Sequence, residues 1–373
     1  MGKKLRRFLI LMLVLWWGPA LAAEPEPPYR QALPGYTYQF PRDLFAHEEF
    51  QIEWWYYTGH LADADGRSFG YQLTFFRVGL ANDSEKTNSS KWRVGQIYFA
   101  HLTISDLADQ KFYFFERINR KGLGLAGADK DRLHVWNEDW TLTANNRVHH
   151  LKAQQAGVGL DLQLQPRKKL VIHGQNGVSQ KGGQPGNASH YISHTRMQTR
   201  GTLYLKGKKY EVTGTSWMDH EFSSNQLNSE QVGWDWFSVQ LDNGAEIMLY
   251  LIRLKDGSVE PYSSGSLVRA DGSQEHLALR EFSIEPTGEW TSPHTDTVYP
   301  AGWIMSLPGS KTRLIISPDM PDQELHHLRS IGTSYWEGSV SVQGTQEGQP
   351  VTGKGYVELV GYTKPLTQSL PGN

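Results

Sequence analysis

The side chains best equipped for chemistry lie together in Trp217-Met218-Asp219-His220-Glu221-Phe222. On a β-strand, side chains alternate, so Trp217, Asp219 and Glu221 share one face while Met218, His220 and Phe222 share the other. With the first face inward, two carboxylates stand roughly 7 Å apart, a spacing suited to acid and base work such as glycoside hydrolysis. With the second inward, a histidine sits beside an aromatic ring. Asp219, His220 and Glu221 are therefore the candidate catalytic residues. For Asp219 and His220 the alternative is a buried structural network tying the end of one domain to the next. His190 and His194 fall on one face of a helix or strand, but no third ligand of suitable spacing accompanies them, so no metal is expected. His149-His150 and His326-His327 would point apart on a strand and read as surface residues. The sequence has no Gly-x-Ser-x-Gly elbow, phosphate loop or dinucleotide fingerprint, and no cofactor is expected.

The elements that must position these residues are strands. Alternation with period two recurs in Tyr71-Gln72-Leu73-Thr74-Phe75, Thr202-Leu203-Tyr204-Leu205 and Gly338-Ser339-Val340-Ser341-Val342. Turn signals follow at short spacing: Asp65-Gly66, Lys206-Gly207, Asp242-Asn243-Gly244, Asp256-Gly257 and Asp271-Gly272. The clearest helix candidate is short, Pro321 to Arg329, with a proline early and basic residues late. Polar insertions at Ala81 to Ser90 and Gln175 to Ser189 lack hydrophobic rhythm and read as exposed loops.

An internal repeat divides the chain. Trp54-Trp55-Tyr56-Tyr57-Thr58-Gly59-His60-Leu61, followed by Asp65-Gly66 and Arg77, is echoed by Trp234-Asp235-Trp236-Phe237-Ser238-Val239-Gln240-Leu241, followed by Asn243-Gly244 and Arg253. Trp54 aligns with Trp234, Tyr56 with Trp236, Tyr57 with Phe237 and Leu61 with Leu241. Two similar β-domains in tandem are expected, over 41–224 and 225–365, after a linker at 23–40 and before a tail at 366–373. Each must close its sheet or protect its edges, which a calycin-type barrel or half-barrel does while leaving an interior cavity. A pair of β-sandwiches is the other architecture that fits the periodicity. Trp54, Trp55, Trp234 and Trp236 read first as core and barrel floor, because indoles bury so much area. The ligand-facing candidates are Trp55, Tyr57, Trp217, Phe222, Trp234, Trp236 and Tyr250. Arg77 and Arg253 are expected to cap their barrels or pair with carboxylates.

Composition narrows the setting. The chain of 373 residues carries 13 Trp, 17 Tyr, 14 Phe and 37 Gly, a mixture that suits strands and tight turns. The absence of cysteine excludes disulfides, thiolate metal sites and cysteine nucleophiles. A net charge of −2 gives no basic field for nucleic acid or anionic lipid. The N-terminus has a basic stretch (Lys3, Lys4, Arg6, Arg7), an apolar run from Phe8 to Trp17 and the small-residue site Ala20-Leu21-Ala22. It reads as a signal peptide over 1–22, cleaved near Ala22, leaving a periplasmic protein with no stable membrane anchor.

Five segments together resemble the hydroxyneurosporene synthase (CrtC) and AttH-like family: Glu53 to Leu61, Tyr191 to Gly201, Ser216-Trp217-Met218-Asp219-His220-Glu221-Phe222, Gly233 to Phe237, and Gly353 to Tyr362. The resemblance spans nearly the whole chain after the signal and implies tandem lipocalin-like domains. It also implies two functional traditions: carotenoid 1,2-hydratases, which add water across a terminal double bond, and a secreted AttH-like branch associated with ABC transporters. More distant fungal relatives bind polyketide-type substrates, and the common thread is an apolar ligand in a barrel or between two barrels. The hydratase motif resembles Asp-His-x-Trp; here Asp219 and His220 are kept and Phe222 replaces Trp. The hydratases' protonating carboxylate is expected on a following strand, but Ile247 to Ile252 carries none, and the nearest is Glu246.

The leading expectation is a periplasmic binding or carrier protein for a hydrophobic small molecule, lipid or isoprenoid, with an ABC transporter permease as candidate partner. The alternatives are a hydratase-like lyase using Asp219 and His220, and a secreted carbohydrate-active protein using Asp219 and Glu221. A carrier requires an apolar cavity with few convergent polar groups. The hydratase requires His220 and a carboxylate at one end of such a cavity. The carbohydrate reading requires an open cleft with an aromatic platform and both carboxylates facing it.

Overall fold

The computed structural model describes residues 29–80, 95–225 and 227–366. The expected signal peptide, the start of the linker, the Ala81 to Ser90 insertion and tail residues 367–373 lie outside the described residues. The rest is nearly all β, in a thirteen-stranded and a ten-stranded antiparallel sheet with a small two-stranded ribbon beside them. One sheet curls into a nearly closed barrel and the other into a half-barrel. Among the described residues no helix is long and apolar enough to cross a membrane.

The sequence repeat becomes a repeat of topology. In the first sheet the opening strand Ile52–Ala62 lies between its return strand Ser68–Gly79 and the late strand Lys208–Ser223, which pairs in turn with Ala188–Leu205. In the second, Gln231–Leu241 lies between Glu246–Leu254 and Gln349–Val360, and beyond the latter comes Tyr335–Gln346. Tyr56 therefore stands opposite Asp219, and its repeat partner Trp236 stands opposite Glu358.

Both barrel interiors are filled. Trp55, Tyr57, Leu61, Phe69 and Tyr71 pack within the first, and Phe237, Leu241, Trp303, Leu314 and Leu359 within the second. Inward aromatics of this size take up the space that a ligand would need in a small barrel. The apolar cavity lies instead at the junction, where the outer faces of the two sheets meet. Trp54 stacks on Trp234 with ring centroids 5.8 Å apart, and Tyr56 meets Trp236 edge-on at 5.2 Å. The two repeat hairpins thus face one another. The approach is close enough that a Cβ on Gly70 would come within 2.5 Å of the Tyr356 hydroxyl. Polar bonds fix the junction: His60 Nε2 to the Gly355 carbonyl at 2.9 Å, His101 to Tyr335 and Ser330 at 2.8 Å each, and Gln240 Nε2 donating to the Thr195 carbonyl at 2.7 Å.

Two local expectations are corrected. Pro321 to Arg329 is not a helix; Glu324–Leu325 pairs as a short strand with Trp336 and Tyr335. Nine residues are too few to hold a helix unaided. Gln323 donates to the Met320 and Ser339 carbonyls and Trp336 Nε1 donates to the Pro321 carbonyl, so tertiary bonds take the backbone elsewhere. Gln175 to Ser189 is only partly exposed, since residues 178–179, 181–182 and 186–189 are buried. Hydrogen bonds substitute for hydrophobic rhythm there: Lys181 N bonds the Asn187 carbonyl, Asn187 Nδ2 the Asn225 carbonyl, and Gln231 Nε2 the Lys181 carbonyl.

Candidate functional site

The junction cleft leaves an enclosed space of about 70 Å³, well under the roughly 300–1,000 Å³ typical of small-molecule pockets. Its walls are aromatic and aliphatic: Trp54, Tyr56 and Phe76 from the first sheet, Trp234, Trp236, Tyr250 and Ile252 from the second, with Leu227 between them. Into this apolar space come three carboxylates, Asp219, Glu221 and Glu358, and one cation, Lys181. Strand alternation decides which side chains arrive. Asp219 and Glu221 face the cleft, whereas Met218 belongs to the barrel core and His220 turns to the barrel side.

Asp219 is the most elaborately held of these groups. Its Oδ1 accepts from Trp217 Nε1 at 2.6 Å and from the Ser193 hydroxyl, and its Oδ2 accepts from the Tyr191 hydroxyl at 2.6 Å. Tyr191 in turn accepts from Trp236 Nε1 at 2.9 Å, so the second sheet pins the acid of the first. Burial pushes the Asp219 carboxyl up to about 7, against the pull of its three donors and with help from the Glu221 charge. Glu358 accepts from Trp234 Nε1 at 2.7 Å, and burial lifts it to about 7 as well. Glu337 stands opposite Glu358 in the register and is fully buried. Burial, and then the Glu358 charge, raise it well above the carboxylate range. Lys181 Nζ lies 3.6 Å from Glu221 and 4.1 Å from the centre of the Tyr250 ring. The cleft is thus an oily chamber in which Asp219 and Glu358 hold protons near neutral pH, beside aromatic faces that favour positive charge.

On the opposite face of the same strand, His220 Nε2 meets Glu53 Oε1 at 3.0 Å and its Nδ1 meets the Asp43 carbonyl at 3.1 Å. Glu53 also receives His47 Nδ1 at 2.9 Å and Arg77 Nε at 3.0 Å. Arg77 goes on to the His47 and Phe50 carbonyls. Burial alone would raise Glu53, but the Arg77 guanidinium overrides it and holds the carboxyl well below its usual range. For His220, burial wins and lowers the imidazole. His47, Glu53 and His220 bring ligand-type atoms within 4.8 Å of one another, but hydrogen bonds already use those atoms and Arg77 supplies the positive charge. These bonds fasten the chain before the first strand onto the barrel.

The remaining sequence candidates divide accordingly. Trp234, Trp236 and Tyr250 line the cleft, and Trp217 lies just behind it. Trp55 and Tyr57 do not line it: Trp55 stacks on His220 at 5.1 Å and Tyr57 Oη bonds His149 Nδ1 at 2.8 Å, both inside the barrel. Phe222 stacks on His47 at 3.7 Å, also on the barrel side. All three share the parity of inward residues. Of the paired histidines, His149 is buried, whereas His150 is half-exposed. His190 bonds the Gly177 carbonyl and His194 lies beside His149, so the two share no site. Arg77 pairs with Glu53 and Arg253 with Asp235.

Sequence reasoning missed Trp54, Tyr56, Tyr191, Lys181 and Glu358 as site residues. The repeat carried a signal for the first two, since they align with Trp234 and Trp236. Glu358 and Lys181 had none, because strand pairing and a hydrogen-bonded loop bring them in.

The AttH-like family model matches residues 31–362. A crystal structure described as an AttH of Nitrosomonas europaea superposes with a TM-score of 0.80 at 34% identity, covering 89% of this chain and 99% of that one. Kievitone hydratase of Nectria haematococca superposes with a TM-score of 0.69 at 14% identity, over 90% of this chain and 98% of its own. CghA bound to Sch210972 gives 0.56 at 12% identity, over 90% and 95%. The last two likenesses are of fold. No curated protein sequence matches the chain. With the match covering nearly all the described strands and a third of positions identical to the Nitrosomonas protein, the chain belongs to the AttH-like family.

Proposed function

We propose that the protein is an acid catalyst of the hydro-lyase type, adding water to a carbon–carbon double bond of an apolar substrate held in the junction cleft, or removing it in reverse. One observation carries the reading: Asp219, a buried carboxyl raised to about 7, opens into a cleft walled by Trp54, Tyr56, Trp234 and Trp236. Alkene hydration needs a proton donor that is still loaded at neutral pH and surroundings that tolerate a carbocation. Asp219 supplies the first. Its O–H bond breaks as a C–H bond forms on the less substituted carbon, and positive charge develops on the other. Indole and phenol faces supply the second. Water then forms the C–O bond, and its spare proton passes to Glu221, the carboxylate beside Lys181, and from there to solvent at the cleft mouth. Kievitone hydratase, a protein of like fold, is named for this class of reaction.

The carrier expected at first is less well supported, because three carboxylates and a lysine converge where a carrier needs few polar groups. His220 has no part in the reaction proposed, being held by Glu53 on the other face. Secretion through a signal cleaved near Ala22 and partnership with an ABC transporter permease remain further proposals. N-terminal sequencing of the periplasmic protein and co-purification with membrane components check them.

The test is to incubate wild type and Asp219→Asn with a lipid extract of the producing cells in water enriched in oxygen-18, followed by mass spectrometry. A hydrated product carrying the label with wild type and not with Asp219→Asn is expected. An apolar ligand that binds both proteins and leaves unchanged returns the reading to a carrier, and absence of any bound ligand overturns both.

A further inference from the structure

Behind Asp219 the hydrogen bonds continue away from the cleft. Ser193, whose hydroxyl bonds Asp219 Oδ1, also meets His173 Nε2 at 2.7 Å, and His173 Nδ1 meets the Ser266 hydroxyl at 2.9 Å. His173 and Ser193 are both fully buried. His173 is set in place by the short strand Val171–Ile172, which pairs with Ile192 and Ser193, and by its backbone N–H donating to the Tyr191 carbonyl. Ser266 lies on the second sheet opposite His276, which is half-exposed. A line of exchangeable protons thus runs from the cleft acid across the domain junction as far as Ser266, whose strand neighbour His276 is half-exposed.

We propose that Ser193 and His173 form a proton relay that reloads Asp219 after each turnover, His173 switching tautomer as the proton passes. The proposal rests on Asp219 being the acid of the reaction above. With Asp219 ionised, Ser193 donates to it, so Ser193 must accept from His173 Nε2–H, and His173 Nδ1 accepts from Ser266. Reloading shifts every bond by one place. Ser193 gives its proton to Asp219 and takes the one on Nε2, while Nδ1 takes the proton of Ser266 and Ser266 is replenished from water on the His276 side. Neutral Asp219 then donates to Ser193, Ser193 to Nε2, and Nδ1–H to Ser266. No imidazolium forms, which suits a ring whose basicity burial, and then the charges of Lys181 and His276, depress to about 3. The groups facing the line are the Tyr191 ring, 4.3 Å from His173, together with Lys181, Glu221 and His276.

The prediction is read without substrate. In the full mature protein labelled with nitrogen-15 histidine, and with His173→Gln used for assignment, two-bond proton–nitrogen correlations report which ring nitrogen carries hydrogen. His173 is expected to pass from Nδ1–H at low pH to Nε2–H at high pH with the same midpoint as Asp219. Asp219→Asn and Ser193→Ala should abolish the switch, and Ser193→Thr, which keeps the hydroxyl, should restore it. One tautomer at both ends of the titration in wild type overturns the relay, even if hydration of an alkene is found. A switch in a protein that turns over nothing leaves the hydrogen-bonded wire standing and removes the reaction it would serve.

Discussion

Asp219 and His220 are neighbours on the strand Lys208–Ser223, yet they look into opposite electrostatic worlds. On the barrel side His220 reaches Glu53, whose two oxygens also take His47 and Arg77, so a buried negative charge is matched by a buried positive one. On the cleft side Asp219 has three good donors but no cation bonded to it, and Glu221 adds like charge beside it. Both places are buried. The difference lies in whether the carboxylate has a counter-charge, and it sends the two acids in opposite directions, Glu53 well down and Asp219 up to about 7. A paired buried carboxylate makes structure, whereas an unpaired one keeps its proton and can give it away.

The comparison is broken most forcefully by removing the cation. Arg77→Met strands the Glu53 charge and should cost about 3–5 kcal/mol in urea denaturation, while Asp219→Asn, which replaces a largely neutral acid with a neutral amide, should cost less than about 1 kcal/mol. Equal losses would mean that the two faces do not differ in kind.

Titration sharpens the contrast through sign. Asp219 and Glu358 hold their protons to about 7 in the fold but release them near about 4 when unfolded. The stability their protonated forms contribute is complete below about pH 4 and is lost as pH rises through about 7. Glu53, lowered by Arg77, acts oppositely: its contribution is present above its unfolded value and is lost only in strong acid. Melting temperature should fall between about pH 4 and pH 7, and the double variant Asp219→Asn with Glu358→Gln should flatten that fall. Arg77 variants should leave it in place.

The smallest effect concerns the bond that ties the acid to the second sheet. Trp236→Phe keeps an aromatic wall but deletes the indole donor to Tyr191, and should lower stability by about 1 kcal/mol. Tyr191 would then be a weaker donor, and the Asp219 midpoint should move further up. An unchanged midpoint would show that the two sheets are not coupled through Tyr191.

Much of this was legible in the residues. Period-two runs and turn dipeptides gave the sheets, and the echo of Trp54 to Leu61 in Trp234 to Leu241 gave hairpins that turn out to face each other. The strand Trp217 to Phe222 announced two faces but not which one met a ligand, because both are buried and alternation carries no sign. Choosing Trp55 and Tyr57 for the ligand went against the repeat, whose partners Trp234 and Trp236 share the parity of Trp54 and Tyr56. Glu358 was hidden because its relation to Asp219 is one of strand pairing across distant segments. Lys181 and His173 sit in or beside a polar stretch without rhythm, where hydrogen bonds rather than hydrophobic pattern set the fold.

The most direct measurement is the protonation state of Asp219 itself, read as the carboxylic-acid C=O stretch that disappears in the infrared difference between wild type and Asp219→Asn. A band present at pH 6 that titrates with a midpoint of about 7 is expected. If that band is missing at pH 6 and Asp219 titrates near about 4 like an ordinary carboxylate, the cleft holds no loaded acid and the proposed chemistry fails.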